Sequence, residues 1–148
     1  MHVLLDQHIF AKPLYLGESI GFAVQGITHL KDNQYILTLS SASNSSDTLI
    51  CLFDSENGII ASAEGHYGHG NSIAKDKNDV FYIPTGYGGI YRFTMEIDII
   101  NSSISIIPMS TMTFSSNIKV WNVFDYNGSV YAYGSKNSKA CIWEITQN

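Results

Sequence analysis

Short runs of apolar and alternating residues, separated by polar turns, recur along the whole chain. The clearest stretch is residues 65–91, where a glycine- and histidine-rich loop leads into a short mixed strand at residues 71–74. A polar turn follows, then an apolar strand at residues 80–83, a glycine-rich turn and a third strand that begins at Ile90. Runs of β-branched and aromatic residues bounded by Gly, Asn, Asp and Ser predict strands joined by hairpins. The pattern therefore predicts an all-β fold.

The same order of strands occurs before and after this stretch. The strands predicted elsewhere in the chain lie at residues 24–30, 35–39, 48–53, 59–63, 90–95, 104–107, 120–124, 130–133 and 140–146. The turn at residues 54–58 ends in Asn-Gly, a pair that tolerates positive φ at low cost and favours a hairpin. Another predicted strand lies at residues 2–10, before the first unit.

Three units align without a gap over their first two strands. Residues 25–27 align with residues 71–73 and with residues 121–123, a spacing of 46 and then 50 residues. Repeats of this length with four short strands each are typical of β-propeller blades. One four-stranded meander cannot bury both of its faces, whereas stacked meanders bury them against each other. The sequence predicts a single domain over residues 1–148, with propeller-like blades at about residues 23–64, 65–110 and 117–148.

Three blades make only half a propeller, because propellers usually have about four to eight blades. Three arrangements are open: two copies that form a six-bladed ring around a twofold axis, a segment of a longer protein, or an open barrel or sandwich. The third unit lacks a fourth strand, and the unassigned strand at residues 2–10 would complete a blade. We expect self-association, most simply as a homodimer.

Charge and hydropathy exclude several partners. Charged residues make up only 14% of the chain and the net charge is −5, so no basic surface for nucleic acid is expected. No apolar run approaches the length of a bilayer span, and the first 13 residues lack the basic region of a signal peptide. We expect no membrane segment.

Cys51 and Cys141 lie in apolar strands, which predicts buried free thiols. A disulfide between them stays open, since spacing does not establish geometry.

His66 and His69 are the first candidate binding residues. They lie in a glycine-rich loop followed by Asn71, and a loop entering the innermost strand of a blade would bring all three side chains to a central channel. Two imidazoles do not complete a closed metal site, so no metal and no cofactor are predicted. In the alternative interpretation the glycines allow a tight backbone approach, and His69 bonds to a neighbouring blade.

Gln25, Asn71 and Trp121 occupy the same repeat position. Two amides and one indole pointing into a channel would suit sugar recognition, through hydrogen bonds and stacking on apolar sugar faces. The alternative is that Trp121 packs between blades as part of the core. No spacing in the chain indicates a catalytic triad, so no catalytic residue is predicted.

The openings of two units carry a family resemblance. Residues 25–27 (Gln-Gly-Ile) and residues 68–71 (Gly-His-Gly-Asn) resemble blade openings in the β-propeller domain of Gram-positive phage receptor-binding proteins. TagC-like teichoic-acid-related proteins and helveticin J-like bacteriocins share this domain type. The resemblance covers about residues 20–95, and the chain is much shorter than these proteins. It implies a propeller that binds cell-wall or surface glycopolymers. Because neither a signal peptide nor a membrane segment is predicted, a cytoplasmic or a virion-associated location is expected.

Hypotheses from different classes follow. The first is a non-catalytic binding module that recognises a surface glycopolymer or a protein partner through a propeller channel or face. The second is a glycan-active hydrolase or lyase in which His66 or His69 acts as a general base. The third is a purely structural subunit of a larger assembly.

Overall fold

A computed structural model describes residues 22–41, 47–86 and 88–146. Within these ranges the chain forms twelve β-strands and no α-helix, which confirms the predicted all-β class. It follows that no apolar helix of membrane-spanning length exists in these ranges. The strand predicted at residues 2–10 lies outside the described residues.

The first four strands form an antiparallel meander. They are β1 (Phe22–Lys31), β2 (Gln34–Ser41), β3 (Thr48–Asp54) and β4 (Gly58–Gly65), hydrogen-bonded in that order. The turn between β3 and β4 is the predicted Asn-Gly hairpin. One oxygen of the Asp54 carboxylate accepts the backbone N–H groups of Glu56 and Asn57, each at 3.0 Å, and Gly58 has a φ of 80°. We call this group of strands the first meander.

A second antiparallel meander follows. It contains β5 (Ala74–Lys75), β6 (Phe81–Pro84), β7 (Gly89–Asp98) and β8 (Ser103–Pro108), and a two-residue strand β9 (Met112–Thr113) pairs with the start of β7. A single parallel bridge between Ser62 of β4 and Ser103 of β8 connects it to the first meander. The sequence predicted neither β9 nor this bridge.

The start of β5 corrects one predicted boundary. The strand expected at residues 71–74 begins only at Ala74. In the preceding loop, Gly68 and Gly70 have φ angles of 86° and 64°, outside the range of an extended strand. Their carbonyl oxygens also accept hydrogen bonds from hydroxyls of the first meander: Thr48 donates to Gly68, and Thr38 donates to Gly70 at 2.8 Å.

The last three strands form a separate antiparallel sheet, the third meander. They are β10 (Ile118–Tyr126), β11 (Ser129–Lys136) and β12 (Lys139–Ile145). The ladder between β10 and β11 shifts register between Val120 and Asn122, so Trp121 lies in a bulge. The part of the chain that the structure covers provides no fourth strand for this sheet.

Two core clusters join the three meanders. On one side of β6, Phe81 and Ile83 pack in a cluster that includes Ile36 of β2 and Ile50 of β3. Tyr82 points to the other side of β6, where its cluster contains residues of the third meander: Val120, Val123, Val130 and Ala132. Successive side chains of a strand alternate between the two faces of its sheet. The second meander therefore buries both of its faces, which explains the uninterrupted apolar run in β6.

The first meander also has apolar residues on both faces. Ile36 faces the second meander, whereas Leu37, Leu39, Cys51 and Phe53 form a third buried cluster on the opposite face. Both cysteines are free thiols, as predicted. Only Cys51 is fully buried, however, and Cys141 on β12 is half-buried.

Candidate functional site

The first strands of the three meanders meet at a hollow of about 410 Å³. We call it the first-strand hollow. It is lined by residues 25–29 of β1, by Ser72 and Ile73 before β5, and by residues 123–125 of β10. Because the three segments come from three repeat units, the site depends on how the units pack and not on one contiguous motif.

Close backbone contact joins two of the segments that line the hollow. A Cβ atom added at Gly26 would lie only 2.7 Å from the Cα atom of Ser72, so β1 and the segment before β5 touch at a position that only glycine allows. The Ser72 hydroxyl oxygen accepts the backbone N–H of Val123 at 2.8 Å. Ser72 therefore contacts both neighbouring units.

Asp125 connects all three segments through one carboxylate oxygen. Its Oδ1 atom accepts the hydroxyl of Thr28 on β1 at 2.8 Å and, less closely, the backbone N–H of Lys75 on β5 at 3.4 Å. A carboxylate has about four acceptor positions on two oxygens. Asp125 is exposed, so its acceptor capacity is available to a ligand as well.

Two exposed apolar side chains lie beside these polar groups. Ile27 of β1 is 58% exposed and Phe124 of β10 is 40% exposed. The Phe124 ring stacks on Tyr131 with centroids 5.4 Å apart and planes 17° apart, which fixes its orientation. The chemistry of the hollow combines amide, hydroxyl and carboxylate groups with a fixed aromatic ring. That combination suits a ligand with hydroxyl groups around an apolar ring face.

Gln25 and Trp121, which the repeat aligns, share a backbone irregularity but not a site. Each lies at a register shift, between Val24 and Gly26 in β1 and between Val120 and Asn122 in β10. Gln25 lines the first-strand hollow, whereas Trp121 lines a different pocket and is 49% exposed. Trp121 is not part of the buried core of the third meander, and it does not line the first-strand hollow.

The other predicted binding residues lie in the loop between β4 and β5. His66 is exposed and its Nδ1 atom lies 2.6 Å from Oδ1 of Asp47, His69 is exposed, and Asn71 is half-buried. None of these three residues lines the first-strand hollow. Among the described residues, no group of three or more His, Cys, Asp and Glu side chains could hold a metal ion.

Tyr67, in the same loop, is half-buried. Its ring stacks on Tyr91, with centroids 5.5 Å apart, and lies 6.3 Å from Phe93. Burial raises the pKa of the Tyr67 hydroxyl, and burial together with the neighbouring Tyr67 raises the pKa of Tyr91. These packed rings and the two positive-φ glycines give the loop a structural role in joining the first two meanders.

Four lining residues were not predicted from the sequence: Thr28, Ser72, Phe124 and Asp125. One signal was present: His29, Lys75 and Asp125 occupy equivalent repeat positions, so an ionisable residue lies near the end of the first strand of every unit. His29 lines the hollow, and its Nε2 atom lies 2.9 Å from the carbonyl oxygen of Asp32. Equivalent positions of these segments lie close together when the units stack, as the bond from the Lys75 backbone N–H to Asp125 shows.

No protein-family model matches the chain, and no curated protein matches its sequence. The resemblance to phage receptor-binding propellers therefore stays a prediction.

Proposed function

We propose that the chain is a non-catalytic binding module that recognises a cell-surface glycopolymer through the first-strand hollow. One observation carries the proposal. Polar side chains from three repeat units, Gln25, Ser72 and Asp125, line one hollow. The exposed side chains of Ile27 and Phe124 lie beside them. Hydroxyl-rich ligands are bound by such polar groups, and apolar sugar faces stack on aromatic rings. A pocket of this size accommodates one or two sugar units of a longer polymer.

The module is proposed to be built from propeller-like blades. Three features support this arrangement. The meanders repeat at the spacing typical of blades, the second meander buries both faces, and the first strands of all three units contact one another through Gly26, Ser72 and Asp125. In a propeller the first strands of neighbouring blades surround a central channel. The first-strand hollow then corresponds to part of that channel.

Self-association as a dimer is part of the proposal. The outer face of the third meander exposes Ile142 at 69%. Ile142 lies on the edge strand β12, two strands away from Phe124 on β10, and the β12 strand of a second copy would cover it. The corresponding outer face of the first meander is already buried at Leu37 and Cys51 within one chain. We therefore favour two third meanders packed against each other around a twofold axis over a closed six-bladed ring. Few side chains are involved, so the dimer is expected to depend on concentration.

Light scattering over a range of concentrations tests the dimer. The mass should approach twice that of the chain as concentration rises, and Ile142→Glu should keep it at the monomer value. Lys139→Glu, at the exposed first residue of β12, is the matched control and should still dimerise. A wild-type monomer at every concentration would refute the dimer without touching glycan binding.

Retention on immobilised polysaccharides tests the binding function. We expect saturable binding to at least one bacterial wall glycopolymer and no shortening of that polymer during prolonged incubation. If no wall glycopolymer is retained while a surface protein is, the glycan proposal is wrong and the partner is a protein. If neither is retained, a structural subunit is the better account.

One observation favours the enzymatic alternative. The Asp47 carboxylate lies 2.6 Å from Nδ1 of His66, and a carboxylate in that position can orient an imidazole that acts as a general base. Under this alternative the retained polymer is shortened over time, and His66→Ala stops the shortening. The binding proposal predicts that His66→Ala changes neither the polymer nor its retention, because His66 does not line the first-strand hollow.

A further inference from the structure

A second pocket, of about 400 Å³, lies at the other end of β10 from Asp125. We call it the Trp121 pocket. Its walls come from three places: the loop glycines Gly86 and Gly88, the segment of residues 114–116, and residues 118–121 of β10. From Trp121 to Asp125 the strand runs about 13 Å, at roughly 3.3 Å per residue, so one extended glycan chain could contact both sites.

The side chains of this pocket offer an aromatic surface, hydroxyl groups and one positive charge. Trp121 is half exposed, Phe114 lies beside it half-buried, and Ser115 and Ser116 contribute hydroxyls. Lys119 is the only ionisable side chain among the described residues that line the pocket. The described lining of the pocket therefore carries a positive charge, although the net charge of the chain is −5. The first-strand hollow differs, because it contains the Asp125 carboxylate.

The backbone around the pocket is held by specific contacts. A Cβ atom at Gly134 would lie 1.8 Å from the carbonyl oxygen of Lys119, so only glycine on β11 allows β10 to approach as it does next to the bulge. The bulge leaves Trp121 out of the ladder between the two strands. Across the pocket, the backbone N–H of Phe114 donates to the carbonyl of Gly88 at 2.9 Å. These contacts fix the backbone positions from which Trp121 and Phe114 line the pocket.

We propose that the Trp121 pocket is a subsite for an anionic saccharide unit. The sugar ring stacks on Trp121, and its phosphate or carboxylate group binds the Lys119 ammonium. The Ser115 and Ser116 hydroxyls bind the remaining sugar hydroxyl groups. This inference rests on the proposed glycopolymer function and specifies its ligand as a polymer that carries negative charge.

Tryptophan fluorescence tests the subsite directly, because Trp121 and Trp143 are the two tryptophans of the chain. Trp143 packs against the core of the third meander, so in Trp143→Phe the emission reports the Trp121 pocket alone. Oligo(glycerol phosphate), oligogalacturonate and neutral chitooligosaccharide serve as the three probes. We expect a saturable emission change with one of the two anionic probes, which also tells phosphate from carboxylate recognition, and none of comparable affinity with the neutral probe.

The variant that decides the chemistry is Lys119→Gln. Lys119 is exposed, so this change should leave the fold intact, and loss of a charge-assisted hydrogen bond should weaken the anionic probe about tenfold. Calorimetric titration of Lys119→Gln and Trp121→Ala in the wild-type background gives the same comparison should Trp143→Phe fold poorly. Unchanged affinity in Lys119→Gln, or no binding of either anionic probe at about 5 mM, would overturn the inference.

Failure of this inference can be distinguished from failure of the proposed function. A neutral glycan whose binding is lost in Phe124→Ala but unaffected by Lys119→Gln would refute the anionic subsite and support the first-strand hollow. If the wild-type protein binds no glycan at either site, both the anionic subsite and the proposed function are refuted.

Discussion

The hydroxyl of Thr28 donates a hydrogen bond of 2.8 Å to the Asp125 carboxylate, 97 residues further along the chain. Thr28 lies on β1 and Asp125 on β10, so this bond connects the first strand of the first meander with the first strand of the third. Asp125 also accepts the backbone N–H of Lys75 on β5. A single carboxylate thus relates all three repeat units at the edge of the proposed binding site.

Thr28→Val removes the donor while keeping the shape of a buried side chain. The free energy of unfolding should fall by about 1 kcal/mol, the usual net worth of such a bond, as measured by urea denaturation. Asp125→Asn keeps an acceptor for Thr28 and should cost less. A Thr28→Val midpoint equal to wild type would show that the bond does not hold the units together.

Gly134→Ala should be among the most destabilising single substitutions in the chain. The added Cβ would lie 1.8 Å from the Lys119 carbonyl oxygen, and backbone on both strands would have to move. We expect a loss of about 3 kcal/mol or more, or failure to fold, because a change above this size needs a specific clash of this kind.

Gly58→Ala is the matched control for that prediction. Gly58 has a φ of 80° but no atom within 4 Å of an added Cβ, so its substitution carries only the cost of the left-handed conformation, about 1–2 kcal/mol. Thermal melting of the two variants separates steric from conformational cost. Equal losses in both would mean that β10 does not approach Gly134 so closely.

The two thiols should differ in reactivity. Burial raises the pKa of Cys51 to about 11, and its side chain is inaccessible, so at pH 8 almost no thiolate is available there. Cys141 is half-buried and should react with a thiol reagent in the folded protein. We expect one thiol to react in buffer and two in denaturant, and none to react in buffer in Cys141→Ser. Two equally fast thiols, or none even in denaturant, would contradict the structure.

Acid should destabilise the fold through the turn carboxylates. The backbone N–H of Glu56, with further bonds from Asn57, lowers the pKa of Asp54 in the folded state. A carboxyl group with a lowered folded pKa stabilises the protein above its unfolded pKa of about 3.9, and this contribution is lost as the pH falls through the folded pKa.

Asp54→Asn removes that titration. Melting temperatures should be lower than wild type at pH 7, and the further loss on acidification to about pH 2 should be smaller than in wild type. Asp98→Asn should behave in the same way, because the Asn101 side chain and backbone N–H lower the pKa of Asp98. An Asp54→Asn variant that parallels wild type at every pH would contradict the assigned hydrogen bonds.

Local signals in the sequence predicted most strands because each strand has its own apolar pattern and turn chemistry. The hairpin at residues 54–58 shows this, since its Asp and Asn-Gly act within the turn itself. The boundary of β5 was wrong for a non-local reason. The carbonyls of Gly68 and Gly70 are bonded by Thr48 and Thr38 of the first meander, which no pattern within the loop reveals.

The site was less predictable than the strands. Repeat alignment brought Gln25 to the first-strand hollow but treated Trp121 as its equivalent, although the two line different pockets. Equal position in a repeat does not give equal surroundings, because the first and third meanders have different neighbours. Phe124 and Asp125 became site residues only through the packing of β10 against β1 and β5, which depends on contacts between units.

Calorimetric titration of Phe124→Ala with the retained glycopolymer tests the central claim most directly. Tyr126→Ala is the matched control, since Tyr126 is an exposed aromatic residue on the same strand that does not line the first-strand hollow. We expect Phe124→Ala to weaken binding by up to about tenfold, the worth of a stacked aromatic contact, and Tyr126→Ala to leave the affinity unchanged. Equal affinities for wild type and Phe124→Ala would contradict the claim.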